Sequence, residues 1–281
     1  MKVLILVLIL FFFFQIYFMY VKKTVITNRI MPLTFEENFP RIIFRTYNDK
    51  TVCNEMFKNC HQKWVEFNPN YSIIWFSNNE CDEFMKKYFK GTVNEAYKCL
   101  KPGAYKADLW RLCILYKFGG FYVDAFVKPY ASLREMIKNC KTNFISVLDS
   151  ELSGKGIHNG FIASTKKHPF LKQAILDIVL NVKKRFYGSC PLSVTGPIAL
   201  SKSINKVVRG KISNNHKIGL NQHGILSYYL FNLNYGLQNV YKKEMKIMTK
   251  YFSFFYYLYR KLWITTGYTK MWKQKNIFDL K

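Results

Sequence analysis

Acidic residues are scarce in this 281-residue chain, with 17 Asp and Glu against 43 Lys and Arg and a formal net charge of +26. Such a balance attracts polyanions of any kind: nucleic acid, anionic lipid headgroups or phosphorylated molecules. No long run of Lys or Arg stands out, so the charge reads first as a diffuse solvated surface. No recognisable nucleic-acid-binding module accompanies it, and no nucleic-acid partner is expected. A CxxC pair is also lacking among the seven cysteines Cys53, Cys60, Cys81, Cys99, Cys113, Cys140 and Cys190, which removes zinc spacing. Cys113 and Cys140 sit in apolar contexts that suit buried thiols, and a Cys53–Cys60 disulfide is compatible with a lumenal domain. Internal repeats and low-complexity linkers are absent.

Apolar and aromatic residues are plentiful, at 49% hydrophobic with 25 Phe and 20 Tyr, enough for one domain with a full core. The sharpest physical signal is the uncharged run Val3 to Val21, broken only by Gln15. As a helix it would extend roughly 28 Å, close to the hydrocarbon thickness of a bilayer. It is too long for a signal-peptide core, and no small-x-small cleavage site follows it. Residues 1–23 are therefore expected to be a single-pass transmembrane signal-anchor, 24–39 a stem, and 40–281 the globular domain with a basic, aromatic-rich C-terminal extension. Lys22, Lys23, Arg29 and Arg41 favour a cytosolic domain by the positive-inside rule. Many enzymes of this layout are lumenal, and orientation stays open.

Within 40–281 the pattern is α/β. Arg41 to Phe44 and Ser72 to Phe76 read as buried strands, and Asn54 to Phe67 and Cys81 to Phe89 as helices. That order predicts a parallel, Rossmann-like sheet. Ala104 to Phe118 predicts a helix with an apolar stripe of Leu109, Leu112, Cys113 and Tyr116, stopped by Gly119-Gly120. Phe121 to Val127 follows as a strand. Asn143 to Leu148 and Ile157 to Ala163 are further strands, and Phe170 to Val182 and Pro197 to Val208 further helices.

Asp108 and Arg111 lie one helical turn apart on a face away from that stripe. On spacing alone, a local salt bridge is the simpler reading. The sharper one has Asp108 accepting hydrogen bonds from sugar hydroxyls and Arg111 donating to phosphate or sugar oxygens. Asp124 stands near the carboxyl end of a predicted strand, where open parallel sheets bind ligands, although an Asp there also serves as a turn cap.

The run Ala104-Tyr105-Lys106-Ala107-Asp108-Leu109-Trp110-Arg111, then Leu115-Tyr116, then Gly119-Gly120-Phe121-Tyr122-Val123-Asp124 resembles the core of glycosyltransferase family 32, sugar-nucleotide transferases with a DxD motif. Pro40 to Tyr47, Trp64, Asn68 to Tyr71, Trp75, Asn159 to Ser164, His168-Pro169 and Thr195-Gly196-Pro197 are similar to flanking blocks. Gly267-Tyr268, Trp272-Lys273 and Asn276-Ile277-Phe278 are similar to the tail of some members. The resemblance implies a GT-A fold, a nucleotide-diphosphate sugar as donor, Mn²⁺ or Mg²⁺, and retaining hexose transfer to a glycan or glycolipid hydroxyl. It implies that Asp108, Arg111 and Asp124 are the catalytic set. Thr46, Tyr47 and Tyr122 would join them in holding the donor, with Thr46 and Tyr47 beside the base. Asn159 would face the acceptor, and Asp124 would bind the metal as the first Asp of the motif.

The second Asp of that motif falls at position 126, which is Phe126. Phe offers no oxygen ligand to a hard cation; Asp149 or Glu151 are alternative oxygen donors, and Lys and Arg an alternative source of charge. His223, in Asn221-Gln222-His223-Gly224, is expected to be structural or on the surface. The competing reading is a glycosyltransferase-fold protein that has lost turnover and binds a nucleotide sugar, a glycan or a partner enzyme.

Overall fold

The computed structural model describes residues 39–47, 55–149, 156–208, 216–234, 239–250 and 267–279. The expected anchor, nearly all of the stem, Cys53, Glu151 and most of Tyr251 to Trp272 lie outside them. Among the described residues no helix is long and apolar enough to cross a membrane.

The fold alternates strands and helices as expected up to its midpoint. β1 (Ile42–Thr46), α1 (Glu55–Phe67), β2 (Ser72–Phe76) and α2 (Asn78–Tyr88) come first. The α2 start is fixed by a capping box, Ser77 taking the Glu80 backbone N–H while the Glu80 carboxylate takes the Ser77 N–H, so two orphan donors are satisfied at once. An unforeseen helix, α3 (Thr92–Cys99), precedes α4 (Gly103–Phe118). β3 (Gly120–Val123), β4 (Val127–Pro129), α5 (Leu133–Ile137), β5 (Phe144–Asp149) and β6 (Gly156–Ser164) follow. α6 (Pro169–Lys183) and α7 (Pro197–Val207) lead to β7 (Gly219–His223), β8 (Leu226–Asn234), β9 (Asn239–Lys242) and β10 (Met245–Lys250), with α8 (Tyr268–Lys273) last.

The strands form one ten-stranded sheet in the order β2-β1-β3-β6-β5-β8-β9-β10-β4, with β7 also on β8. It is mixed rather than parallel. β1 runs parallel to β2 and β3, but β6 is antiparallel to both β3 and β5. The physical reason lies in chain length: only a few residues join Asp149 to Gly156, enough for a hairpin and too few for a crossover helix.

Successive strand residues enter opposite layers of the core. Phe44, Tyr122 and Ile162 belong to one buried cluster, whereas Ile43, Phe121, Val123, Phe161 and Ala163 belong to the other. This is the period-two alternation of a sheet covered on both faces. Two further sequence expectations are corrected. α4 is enclosed on most sides, every residue from Leu109 to Leu115 being buried, so Arg111 packs into protein and Asp108 keeps only a small opening to solvent. The predicted strand Phe121 to Val127 breaks after Val123: the Asp124 N–H is donated to the Gly160 carbonyl and the Val127 N–H returns to the Asp124 carbonyl. Val127 then starts β4, which pairs with β10. Gly120 is required where α4 gives way to β3. Its φ is +93°, and a Cβ there would meet the Ile42 carbonyl oxygen at 2.6 Å, so only glycine lets β3 lie against β1.

Candidate active site

Three elements converge at the carboxyl end of β3. α4 supplies Asp108 and Arg111, Asp124 follows directly on β3, and β6 passes Asn159 beside them. The Arg111 Nη1 donates to Asp124 Oδ1 at 3.0 Å and to the Asn159 carbonyl at 2.8 Å, while its Nε donates to Ala107 O within the helix. Its Nη2 stands 3.3 Å from Asp108 Oδ1. The i,i+3 pair expected on spacing does form, but as one part of a buried carboxylate–guanidinium–carboxylate array. Tyr122 closes it: the phenol donates to Asp124 Oδ1 at 3.0 Å, and the Arg111 guanidinium lies 4.5 Å from the ring centroid.

Asp108 is held from the other side as well. It accepts from the Asn159 amide at 2.9 Å and from the Thr195 hydroxyl at 2.7 Å. Gly196, the N-cap of α7, lies so close that a Cβ on it would stand 3.6 Å from Asp108 Oδ2. The positive end of α7 therefore faces the carboxylate. Burial pushes the Asp108 carboxyl up, opposed by Arg111, Thr195 and Asn159. Burial alone would lower the Arg111 pKa, but Tyr122, Asp124 and Asp108 around it carry it above the usual range. Arg111 is a fixed cation, and with three donors on it Asp108 is an acceptor. The side chains of Asp108 and Asp124 remain 13% and 25% exposed, so both carboxylates still reach the surface of the site.

The other expected residues are placed less centrally. Thr46 pairs its hydroxyl with the Cys81 thiol at 3.4 Å, and Tyr47 stacks on Phe57 with centroids 4.8 Å apart. Phe126 meets the Tyr47 ring edge-on at 5.5 Å, so this half-buried corner of the turn is aromatic. The Asn159 amide is turned inward to Asp108. Asp149 is buried at the end of β5, and His223 is exposed and stacked on Tyr228. Cys113 and Cys140 are buried free thiols.

Four residues of the site receive no role from the sequence, although Thr195, Gly160 and Arg45 lie in blocks that carry the resemblance. Thr195 reaches Asp108 across 87 positions. His158 accepts the Gly160 N–H on Nδ1 at 3.1 Å. A Cβ on Gly160 would meet His158 Cε1 at 2.4 Å and Asp124 Oδ2 at 2.6 Å, so any larger residue there would displace the carboxylate. Arg45, on β1, is completely buried and donates through Nη2 to the backbone carbonyls of Asp124 and Ala125.

A divalent cation finds little here. Among the described residues no group of three or more His, Cys, Asp or Glu is arranged to hold one. Asp124 is the one carboxylate of the turn, Arg111 already neutralises it, and Phe126 contributes a ring. These side chains do not fit a resident Mn²⁺ or Mg²⁺.

The array of two acids around one arginine at a strand end lies within a region that is similar to known proteins. Residues 54–145, which contain Asp108, Arg111, Tyr122 and Asp124, match the family described as glycosyltransferase sugar-binding region containing DXD motif. The chain carries this glycosyltransferase sugar-binding region, and its resemblance to glycosyltransferase family 32 holds. Two curated relatives are mannosyl phosphorylinositol ceramide synthases of Saccharomyces cerevisiae. CSH1 is 24% identical over 164 residues, 58% of this chain and 41% of its own length. SUR1 is 25% identical over 201 residues, 70% of this chain and 50% of its own. The chain thus spans half or less of these relatives. Among solved structures, the PaToxG glycosyltransferase superposes with a TM-score of 0.47 at 16% identity, covering 61% of this chain and 70% of that one.

Proposed function

We propose that this chain is a membrane-anchored, retaining glycosyltransferase of the GT-A type. It moves a hexose from a nucleotide-diphosphate sugar to a hydroxyl of a glycan or glycolipid. The observation that carries the reading is the array of Asp108, Arg111 and Asp124, held at the end of β3 inside the matched sugar-binding region. In the transfer, the bond from the sugar C1 to the diphosphate oxygen breaks. A bond from C1 to the acceptor oxygen forms, and the acceptor proton passes to the released diphosphate. Asp108 and Asp124 accept hydrogen bonds from sugar hydroxyls, and Arg111 keeps both carboxylates ionised and aimed. Tyr47 and Thr46 border the nucleotide, and Asn159 positions Asp108 on the acceptor side. Negative charge develops on the leaving diphosphate, so a fixed cation in the site stabilises the transition state. The names of the relatives favour mannose as the sugar and an inositol phosphoceramide-type glycolipid as the acceptor.

The test is donor hydrolysis and transfer by the full chain in detergent, against a panel of UDP-, GDP- and CMP-hexoses. Release of free hexose from one of these donors, with transfer to a glycolipid, is the expected result. Binding of a donor without release would favour the second reading, a fold that has lost turnover, for which Phe126 is the specific motive. Binding of no donor at all would remove both.

The anchor and domain limits belong to the same proposal: 1–23 in the bilayer, 24–39 a stem, 40–281 the transferase domain. Carbonate extraction of membranes is expected to leave the chain in the pellet with its N-terminus intact. A processed, freely soluble product would remove the anchor. Asn70, exposed in Asn70-Tyr71-Ser72, becomes glycosylated only if the domain is lumenal.

A further inference from the structure

We propose that Arg45 is the resident cation of the donor site, supplying from beneath the Asp124–Phe126 turn the positive charge that lets a nucleoside diphosphate bind without a divalent metal. The inference rests on the reading of this site as a nucleotide-sugar site.

Arg45 is 0% exposed, yet only one of its nitrogens is used. Nη2 donates to the carbonyls of Asp124, at 3.2 Å, and Ala125. Nε and Nη1 have no hydrogen-bond partner among the described residues. No carboxylate forms an ion pair with it there either. The Phe57 ring lies 5.1 Å from the guanidinium carbon, and Cys60, Tyr122 and the Asp124 carboxylate lie within its field and favour its charge. Burial lowers its pKa to about 10, which still leaves it protonated at neutral pH.

A buried cation with no carboxylate in direct contact is costly unless something compensates it. Two carbonyls, one ring and the field of Asp124, a carboxylate that Arg111 already shares, compensate it in part. The rest of the compensation is suited to an anion arriving at the turn that Arg45 holds. That turn is where a strand end presents Asp124 to ligand, and position 126 puts Phe there in place of a second carboxylate. An anion approaching it meets one acid, already neutralised by Arg111, with two guanidiniums behind. A divalent cation approaching it meets the same two guanidiniums and one shared carboxylate. Sign and ligand count therefore both favour the diphosphate alone. Arg45 acts here through its field and its hold on the turn, so the low dielectric of its surroundings lengthens its reach.

The experiment is calorimetric titration of the full chain in detergent with UDP and GDP, in EDTA and then in Mn²⁺. Uridine and guanosine serve as uncharged controls. The expected result is diphosphate affinity that changes less than about threefold between EDTA and Mn²⁺. Arg45→Gln keeps a donor for the carbonyls but loses the charge, and is expected to weaken diphosphate binding by on the order of tenfold while leaving nucleoside binding unchanged. Arg45→Lys, which keeps the charge and loses the fork, is expected to stay within a few-fold of the parent. Strictly Mn²⁺-dependent binding by the parent chain would overturn the proposal without any variant. Parent-like diphosphate affinity in Arg45→Gln would overturn it equally, reducing Arg45 to a brace for the turn. Binding of neither nucleotides nor nucleosides by the folded parent would remove the nucleotide-sugar reading itself, and this inference with it. Nucleoside binding with no preference for diphosphate would remove only the inference.

Discussion

Arg111→Ala is expected to abolish transfer and to cost roughly 3–5 kcal/mol of stability, the range for removing one partner of a buried ion pair. Three groups lose a donor together: Asp108, Asp124 and the Asn159 carbonyl. Two carboxylates that both contact Arg111 would then repel each other across a poorly solvated site. Each would be driven toward its protonated form, and neither could accept from a sugar hydroxyl. Asp108→Asn separates the two effects. It keeps the volume and can still accept from Thr195 or Asn159, so a cost of about 1–3 kcal/mol is expected, with transfer lost all the same. Melting curves beside donor hydrolysis decide the matter. An Arg111→Ala chain that melts like the parent and turns over normally would reduce the array to an ornament of the helix surface, as the spacing alone suggested.

That contrast shows what could and could not be read in advance. The site's acids and arginine were legible because Asp108, Arg111 and Asp124 occur in one short stretch whose spacing ties them to a helix and the strand after it. Their burial was not, because α4 carries apolar residues on nearly every side and a single stripe understates how it is enclosed. The split after Val123 was hidden for a similar reason. Phe121 to Val127 is almost wholly apolar, and the turn is closed by a backbone bond, Val127 N–H to the Asp124 carbonyl, that no side-chain pattern announces. Thr195 and Arg45 join the site through contacts 87 and 79 positions apart, a separation at which no periodicity speaks. The antiparallel strands β7 to β10 were missed entirely. β7 is polar and weakly alternating, Gly219-Leu220-Asn221-Gln222-His223, and gives little pattern, and pairing with the apolar β8 creates its order.

Acid is expected to destabilise the fold steeply between about pH 6.5 and pH 4, ahead of the general loss of carboxylate charge. His168 and His216 are buried, at 5% and 7% exposure, and burial lowers each pKa from 6.5 to about 4. Geometry agrees. His168 uses Nδ1 to accept the Phe170 N–H at 3.2 Å and so caps α6. His216 lies between the Ser201 hydroxyl at 2.9 Å and the Tyr228 phenol at 2.8 Å, an arrangement a neutral ring satisfies with one donor and one acceptor. Because the folded value lies below the unfolded one, the unfolded chain binds protons that the folded chain refuses. Stability is therefore full above pH 6.5, falls as pH drops through that value, and stops falling near pH 4. Each histidine accounts for about 3 kcal/mol over that interval. His61, lowered to about 4 by burial and by Arg45, adds to the same side. Asp108 works against them, since its raised carboxyl takes a proton more readily in the folded state. At roughly 2–4 °C per kcal/mol for a domain of this size, the melting temperature is expected to drop on the order of 10–20 °C between pH 7 and pH 4. His168→Asn keeps a side-chain acceptor for the α6 cap and removes the titrating ring, so its acid limb should be shallower by about 3 kcal/mol. A parent melting temperature that is flat down to pH 4.5 would show that these rings are solvated or already charged in the fold. An unchanged slope in His168→Asn would show the same of that ring alone.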